Sequence, residues 1–461
     1  GNYMRADGNY PFTLVNGKYV TEEKRNNSAI YTYQIEPTLF HTFKDSSNLE
    51  LKAYYFYSKR GLPGSVTLYN PISDETLWDE NVFIQTRYKK DFSQKWSLQA
   101  QAKYNHGWNK YEDKGNEYAD GLYRAVHRQD EYYLSATALY RPWNVLSLYL
   151  VLVGIMIYLR SILQVCCFRL SFSSLSAFKA RFRQGRITAT GSLVYTNVTE
   201  HVKIGDAPAD FQRLAPSFTV SLQPWQEQLL FLRLMYKSTF RMPTFNDLYY
   251  YRLGNRSLRP EKANEYNMGI TWSRSFSSFL NYLSVTVDGY YNDVTDKIVA
   301  FPTTYAWKMA NYGKVHVTGM DATLAAAASL GKNMVLVVSG GYTWQKAIDL
   351  TDATSKSYKD QLPYTPKHSG NVSAVLEMPW VNVGYSIVGV SERYSMSQNI
   401  PENRIDGYME HTASLSRNYS FRHCKLRLQA EIINMTDTQY DVIKYYPMPG
   451  RSWRLTGTIE F

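Results

Sequence analysis

The sequence predicts an all-β chain, and more specifically a transmembrane antiparallel β-barrel. Three observations support this prediction. The 461 residues include 40 Tyr, 20 Phe and 10 Trp, although the mean hydropathy is a polar −0.40. Many segments alternate apolar and polar side chains, and the last of them ends the chain on Phe461. A barrel between lipid and water needs apolar residues on only one face of its strands, and it places aromatic residues at both membrane interfaces.

The alternation has the period of a β-strand. In the segment 96–104, one face carries Trp96, Leu98, Ala100, Ala102 and Tyr104, and the other carries Ser97, Gln99, Gln101 and Lys103. A period of two residues indicates a strand. A polar face of this length is costly in the core of a soluble sandwich, but it is simply hydrated inside a wide barrel. The pattern therefore favours a barrel with a hydrated interior.

About nineteen segments of this kind occur along the chain. They begin near Ala29, Leu49, Leu77, Trp96, Glu131, Val145, Phe178, Ile187, Leu214, Leu229, Tyr266, Leu283, Val315, Met334, Val372, Val381, Tyr408, Leu426 and Trp453. Short turns alternate with long polar loops, such as 112–120 and 349–368. Single-chain bacterial barrels have even strand numbers and plugged transporters have about 22, so we expect roughly three strands to precede this chain. The chain opens on polar residues without a cleavable signal sequence, and we expect its natural N-terminus to lie upstream.

Charge and motif content argue against several other classes of protein. The net charge is +11, but Lys and Arg are spread along the chain without a basic run. We therefore expect no nucleic-acid partner, because a hydrated lumen and loops among anionic membrane lipids explain the charge. Cys166, Cys167 and Cys424 lack metal-ligand spacing, the eight histidines are scattered, and no catalytic motif is present. The prediction is a non-enzyme without catalytic residues, metal or cofactor.

One stretch, residues 145–183, departs from the pattern. Alternation is lost between 145 and 170, and no Asp or Glu occurs between 132 and 199. The uncharged run 145–159 is shorter than the roughly 20 residues that a membrane-spanning helix needs, and Arg160 follows it. A helix among barrel strands would also leave strand edges unpaired in lipid. A transmembrane helix is therefore disfavoured here.

Two explanations remain for this anomalous apolar segment. The first is a compensated frameshift in the coding DNA, from about Ser147 to about Arg183, which would explain the abrupt change in composition. The Cys166-Cys167 dipeptide and the return of the strand pattern at Ile187 agree with it. The second is an unusually apolar hairpin that faces lipid. The frameshift is our preferred hypothesis.

The second half of the chain contains four motifs. They are FRMPTFNDLY at 240–249, GNRSLRPEKANEY at 254–266, NYGKVHVTGMD at 311–321, and INMTDTQY followed by YPMPGR at 433–451. The residues that carry the pattern are Phe240, Arg241, Pro243, Asp247, Pro260, Glu261, Glu265, Asn311, Asn434, Gly450 and, at the chain end, Phe461. In this order the motifs resemble those of TonB-dependent receptors, and the resemblance extends over residues 29–461.

Physical chemistry explains part of these motifs. Pro243 and Pro260 remove backbone donors and therefore belong at strand ends or in loops. We expect a charge network at the strand ends, formed by Arg241, Asp247, Glu261 and Glu265. These motif residues are expected to hold strand ends together rather than to bind ligand.

The resemblance implies an outer-membrane receptor that takes up a scarce nutrient. In this family a plug fills the barrel, and inner-membrane energy reaches it through a TonB contact near the N-terminus. We therefore expect residues 1–461 to be an N-terminally truncated barrel, with about 19 of 22 strands and no plug domain. The TonB complex would act only through a missing N-terminal region. The other expected partners are outer-membrane lipid and the barrel-insertion machinery, which reads the strand ending at Phe461.

The nutrient implied by the resemblance is cobalamin or a ferric siderophore. Haem receptors of this family usually place a His between the first two motifs. Here the interval 244–255 contains three Tyr and no His, which disfavours haem. The candidate ligand-binding residues are Tyr249, Tyr250, Tyr251, Arg252 and Arg256. The tyrosines would either stack on a planar ligand or anchor the chain at the membrane interface.

Alternatives from other classes stay open. A passive porin-like channel would show a large and steady conductance, and a haem receptor would remain within the same family. A barrel enzyme of the outer membrane would need a Ser/His or Asp/His pair that converges at one rim, and the sequence gives no support for one.

Overall fold

The computed structural model describes residues 1–16, 18–66, 73–114, 121–162, 167–203, 210–249, 254–277, 279–302, 307–331 and 333–460. Almost all of the regular structure is β-strand. Within these ranges the helices are α1, which spans Phe245–Tyr249, and a 3-10 helix at Pro401–Asn403. In the described residues, no helix has the length and apolarity needed to cross a membrane.

The chain divides into two compact units. Unit 1 comprises Gly1–Tyr10 and Leu14–Phe218, and unit 2 comprises Pro11–Thr13 and Thr219–Phe461. The strands up to β13 are β1 (Asn2–Ala6), β2 (Pro11–Asn16), β3 (Tyr19–Lys24), β4 (Ile30–Ile35), β5 (Thr38–Thr42), β6 (Asn48–Leu62), β7 (Glu75–Asp91), β8 (Trp96–Asp113), β9 (Tyr123–Trp143), β10 (Leu146–Ile162), β11 (Cys167–Gln184), β12 (Ile187–Val202) and β13 (Phe211–Leu222). The later strands are β14 (Leu229–Arg241), β15 (Glu261–Ser275), β16 (Leu280–Pro302), β17 (Trp307–Gly331), β18 (Met334–Asp349), β19 (His368–Glu377), β20 (Asn382–Val390), β21 (Arg393–Tyr394), β22 (Arg404–Ile405), β23 (Tyr408–Ser420), β24 (Lys425–Ile433), β25 (Asp441–Ile443), β26 (Tyr446–Pro447) and β27 (Ser452–Glu460).

Unit 1 is an antiparallel meander. From β6 to β12, each strand pairs with the next one along the chain. At the start of the unit, β4 pairs with both β1 and β6, and β5 also pairs with β6. Antiparallel neighbours are joined by short turns and need no crossover connection, so chain order and strand order coincide.

The predicted alternation on β8 is confirmed. Trp96 and Tyr104 lie on one face of the strand and are 49% and 38% exposed, whereas the small polar Ser97 on the other face is 8% exposed. Large apolar side chains are therefore exposed and small polar ones are buried, which is the reverse of a soluble protein. The exposed apolar face is what a strand in contact with lipid requires.

The described part of the anomalous segment 145–183 forms two long strands. β10 pairs with β9 on one side and with β11 on the other, so its backbone donors and acceptors are used in the sheet. β11 does alternate: Phe172 and Phe178 are exposed on one face, while Lys179 lies on the other. β10, in contrast, is apolar on both faces. β10 and β11 pair as antiparallel neighbours, and the two explanations of the segment, a frameshift and a lipid-facing apolar hairpin, both stay predictions.

Unit 2 is built in the same way. From β14 to β20 each strand pairs with the next, and β20, β23, β24 and β27 continue the series. The short hairpins β21–β22 and β25–β26 lie in the connections between long strands. The longest strands, β16 and β17, have 23 and 25 residues.

The structure differs from the sequence prediction in strand number and strand ends. Among the described residues, 21 antiparallel strands belong to the large sheet, rather than about nineteen. The short strands β1 and β5 were not expected, because they are exposed and too short to show an alternating pattern. β15 begins at Glu261 instead of Tyr266, and β17 begins at Trp307 instead of Val315. The long loop predicted at 349–368 is confirmed, since β18 ends at Asp349 and β19 begins at His368.

Candidate functional site

The first three sequence motifs meet in unit 2, at the loop ends of β14, β15, β16 and β17. The chain leaves β14 at Arg241, forms the short helix α1, and returns into β15 at Glu261. The third motif begins at Asn311, within β17. We call the contacts among these loop-end residues the β14–β17 cluster.

Reciprocal hydrogen bonds fix the start of α1. The backbone N–H of Thr244 donates to Asp247 Oδ2 at 2.8 Å, and the backbone N–H of Asp247 donates to Thr244 Oγ1 at 3.2 Å. This is a capping box, which satisfies donors that a helix N-terminus leaves free. Asp247 is buried, and the motif's Pro243 directly precedes this turn.

The expected charge network forms around the same helix. Arg241 lies 3.5 Å from Asp247 and 3.8 Å from Glu261. Glu261 also contacts Lys297 at 3.4 Å and accepts a hydrogen bond from the backbone N–H of Ile298 at 3.0 Å. Three of the four predicted members are therefore joined. The fourth, Glu265, has no ion pair in the part of the chain that the structure describes, while Lys297 enters the network although no motif includes it.

Asn311 ties the second motif to β16. Its Oδ1 accepts from the backbone N–H of Arg259 at 2.9 Å, and its Nδ2 donates to the carbonyls of Arg259 at 3.0 Å and Asp296 at 2.6 Å. Asp296 has a φ of 54°, where the β16–β17 register passes from Thr295 to Lys297. An amide side chain can accept and donate at once, which explains an asparagine at this position.

A small apolar core lies beneath these polar contacts. Leu248, Leu258, Ile298 and Met309 are all buried and pack together. Asn255 Nδ2 donates to the Met309 carbonyl at 3.1 Å, which links the loop to β17. The β14–β17 cluster is therefore a packed loop base with its own core.

The fourth motif forms a separate hydrogen-bonded loop before β27, which we call the Asn434 loop. Asn434 is 1% exposed and has a φ of 49°. Its Nδ2 donates to the carbonyls of Thr438 at 2.9 Å and Pro449 at 3.3 Å, and its Oδ1 accepts from the Thr438 N–H at 2.9 Å. A Cβ on Gly450 would stand 2.5 Å from Asp437 Oδ1, so a larger residue does not fit without movement. Both motif residues therefore serve the backbone of this turn.

Tyr440 lies in the same loop and reaches back to β23. Its ring stacks on that of Tyr408, with centroids 3.9 Å apart, and its hydroxyl donates to Glu410 Oε2 at 2.6 Å. Burial, with the hydrogen bond to Glu410, raises the pKa of Tyr440 above the ordinary value for a phenol. Beside this pair, the buried Arg393 has its guanidinium 5.8 Å from the Tyr408 ring and donates to the Asp441 carbonyl at 2.5 Å.

The five candidate ligand residues are placed as follows. Arg256 is an exposed residue in the turn after α1. Tyr249 is the last residue of α1, and only its backbone is described. Tyr250, Tyr251 and Arg252 lie outside the described residues. The structure therefore puts Arg256 and Tyr249 on the same loop base, next to the β14–β17 cluster.

Among the motif residues, Phe240 pairs with Lys262 across β14 and β15, Pro260 immediately precedes β15, and Phe461 lies outside the described residues. Sequence reasoning missed Asn255, Lys297 and Met309 as members of the cluster. Asn255 was within a quoted motif, whereas Lys297 and Met309 carry no local signal, because they reach the cluster only through the pairing of long strands. Among the described residues, no group of His, Cys, Asp or Glu has the arrangement of a metal site.

The fold is shared with a solved transporter and a solved receptor. The copper transporter OprC superposes with a TM-score of 0.75 at 13% identity, covering 99% of this chain and 74% of that one. The siderophore receptor PiuA from Acinetobacter baumannii gives a TM-score of 0.72 at 13% identity, covering 96% of this chain and 76% of that one. At these identities the likeness establishes the fold alone.

A family model for the TonB dependent receptor-like β-barrel matches residues 168–435, more than half of the chain. The protein belongs to this family. Vitamin B12 transporter BtuB of Photobacterium profundum is 25% identical over 230 residues, which cover 48% of this chain and 34% of that protein. BtuB of Vibrio vulnificus is 26% identical over 231 residues, covering 48% of this chain and 33% of that protein. The matched region is about a third of the length of these relatives.

Proposed function

We propose that the chain forms the β-barrel of an outer-membrane receptor that imports a scarce nutrient with energy supplied through TonB. The observation that carries this proposal is the family match over residues 168–435, on a chain whose strands expose their apolar face. An exposed apolar face on antiparallel strands needs lipid around it. The barrel would lie in the cell outer membrane, with its loop ends toward the ligand.

Aromatic residues on the exposed faces support the membrane location. In unit 2, Tyr236, Tyr266 and Tyr291 lie on three neighbouring strands, with successive ring centroids 5.2 and 6.3 Å apart. The row continues with Tyr291 against His316, at 5.4 Å. Aromatic rows of this kind mark the boundary between hydrocarbon and headgroups in barrels.

For the nutrient, we propose cobalamin or a ferric siderophore. Two relatives are named as vitamin B12 transporters, and a solved structure with this fold is named as a siderophore receptor. Arg256 supports an anionic or carbonyl-rich ligand, because it is exposed and a guanidinium recognises carboxylate or phosphate through paired donors. Tyr249, Tyr250, Tyr251 and Arg252 would complete the ligand surface. Coupling to TonB would run through a region N-terminal to this chain.

The terminal strand β27 is proposed as the element that the insertion machinery reads. Its residues Trp453, Leu455 and Ile459 lie on one exposed face, and Leu455 is 86% exposed. Phe461 continues this alternation at the chain end. Deletion of Phe461 should lower the amount of protein assembled in the outer membrane without lowering its synthesis.

Ligand binding to the purified chain in detergent tests the nutrient proposal. Isothermal titration with cyanocobalamin and with ferric siderophores should show saturable binding, and Arg256→Gln should weaken it about tenfold or more, the effect of one charge-assisted contact. Arg417→Gln, which removes an exposed arginine from β23, is the matched control and should not change the affinity.

The same titration with haemin tests the haem alternative, and a planar bilayer tests the porin alternative. Binding of haemin alone would favour a haem receptor. A large steady conductance from the complete protein, including any upstream region, would favour a passive channel. Either result, without binding of cobalamin or siderophore, would refute the proposed nutrient.

A further inference from the structure

The exposed face of unit 1 carries two arginines side by side. On β9 and β10, Arg128 and Arg160 occupy directly opposite positions. Both are exposed, and they share the strand face of Tyr132 and Met156, because alternate residues of a strand point the same way. Like charges directly opposite each other on neighbouring strands destabilise a sheet. The pair therefore calls for a compensating negative charge.

The nearest carboxylate does not compensate both arginines. Asp130 accepts a hydrogen bond from the Tyr104 hydroxyl at 2.8 Å, contacts His106 Nδ1 at 2.8 Å, and lies 3.9 Å from Arg160 Nη2. Arg128 makes no hydrogen bond or ion pair with the residues that the structure describes. Asp130 thus contacts only one of the two guanidinium groups, and the charge of Arg128 is not compensated by a carboxylate among the described residues.

Aromatic side chains lie close to the two arginines on the same strands. Trp108 is directly opposite Arg128, and the Tyr104–Tyr132 pair, with centroids 5.1 Å apart, lies four residues further along the strands. Four residues of strand correspond to about 13 Å. The guanidinium of Arg160 also lies 4.9 Å from the centre of the Tyr158 ring. Aromatic residues of this kind sit at the interface, so charges just beyond them meet lipid headgroups.

We propose that Arg128 and Arg160 together bind the phosphate of an outer-leaflet lipid headgroup. Two guanidinium groups on adjacent strands offer several N–H donors to one phosphate, and the phosphate removes their mutual repulsion. The site rests on the outer-membrane location proposed above and not on the nutrient. It also gives a role to Arg160, the only charged residue between positions 142 and 168.

Binding of a bisphosphorylated lipid A to the full chain in detergent tests this site. The wild-type protein should bind lipid A and should bind its dephosphorylated form at least about tenfold more weakly. Arg128→Gln and Arg160→Gln should each weaken binding of the phosphorylated form about tenfold. The double variant Arg274→Gln/Arg417→Gln, which removes two exposed arginines from unit 2, is the matched control and should bind as the wild type does.

Two further variants separate binding from folding. Arg128→Lys/Arg160→Lys keeps the charge and should retain most of the affinity. Asp130→Asn removes the competing carboxylate and should tighten binding, whereas a purely structural role of the cluster would weaken it. Far-UV circular dichroism, together with the change in electrophoretic mobility on heating, establishes that each variant is folded.

Two results would overturn the proposal. One is a folded Arg128→Gln/Arg160→Gln protein whose affinity for lipid A lies within about twofold of wild type. The other is displacement of lipid A by inorganic phosphate at equal concentration, since the site would then belong to free phosphate. Lipid A binding without any nutrient binding would leave this site standing and remove the proposed nutrient.

Discussion

Replacing Asn434 should open the loop between β24 and β27. Asn434→Ala removes three hydrogen bonds, two donated by Nδ2 and one accepted by Oδ1. At about 1 kcal/mol net for each, the loss is roughly 3 kcal/mol. Alanine must also adopt the φ of 49°, which costs about 1 kcal/mol more. The free energy of opening this loop should therefore fall by about 3–4 kcal/mol.

Trypsin cleavage after Arg451 measures this opening. The Arg451 N–H donates to Asp437 Oδ1 at 2.7 Å within the Asn434 loop. Cleavage after Arg451 therefore requires this loop to open. When reclosing is fast, the cleavage rate follows the open population and should rise by about two to three orders of magnitude. Asn434→Gly loses the same hydrogen bonds, but glycine adopts a positive φ without strain. Its effect on the free energy of opening should therefore be about 1 kcal/mol smaller than that of Asn434→Ala.

Asn418→Ala is the control, because Asn418 is an exposed residue of the neighbouring β23. Its cleavage after Arg451 should match that of the wild type. If Asn434→Ala raises the cleavage rate less than about threefold, the three hydrogen bonds do not hold this loop and the reasoning is refuted.

Two further predictions concern the exposed face and the loops. Leu150→Lys places a charge among exposed apolar residues of β10, and it should lower the stability of the barrel in lipid vesicles by about 2–4 kcal/mol, measured by urea unfolding. Lys179→Ala, on the polar face of β11, is the control and should change the stability by less than about 1 kcal/mol; equal effects of the two variants would contradict the assignment of faces. The raised pKa of Tyr440 predicts a stabilisation that is complete below about pH 10 and is lost as the pH rises through the folded-state pKa. Absorbance at alkaline pH should show a smaller late-ionising phenol fraction in Tyr440→Phe than in the wild type, and identical titration curves would argue against the raised pKa.

The sequence was sufficient to predict the strands that alternate. β8 and β27 show the period of two in their sequences. On β8 the exposed Trp96 and Tyr104 lie on the apolar face, whereas both faces of β27 are exposed. The prediction succeeds for alternating strands because the residues on the two faces follow each other directly in the sequence. β1 and β5 were missed because five residues are too few to establish a period.

The β14–β17 cluster was predicted only in part. Its capping box and its carboxylates lie in recognisable motifs, so Arg241, Asp247 and Glu261 were identified. Lys297 joins them from another strand, at 3.4 Å from Glu261. No local pattern marks this residue, because its position depends on the register of β15 and β16 over their whole length.

The segment 145–183 marks the limit of reasoning from pattern. β10 pairs regularly with both neighbours although it is apolar on both faces, because backbone hydrogen bonds do not depend on which side chains a strand carries. Sequencing of the coding DNA tests the frameshift hypothesis. Alternating strands in a frame shifted by one base would support it, and the absence of such a pattern from both shifted frames would refute it.

The most direct test of the central claim is nutrient uptake by cells that express the complete gene, including any region upstream of this chain. Uptake of labelled cobalamin and of labelled ferric siderophores is measured in otherwise identical strains with and without TonB. We predict uptake of one of these nutrients that disappears when TonB is absent. Uptake that is equal in both strains would show passive passage and would contradict an energised receptor.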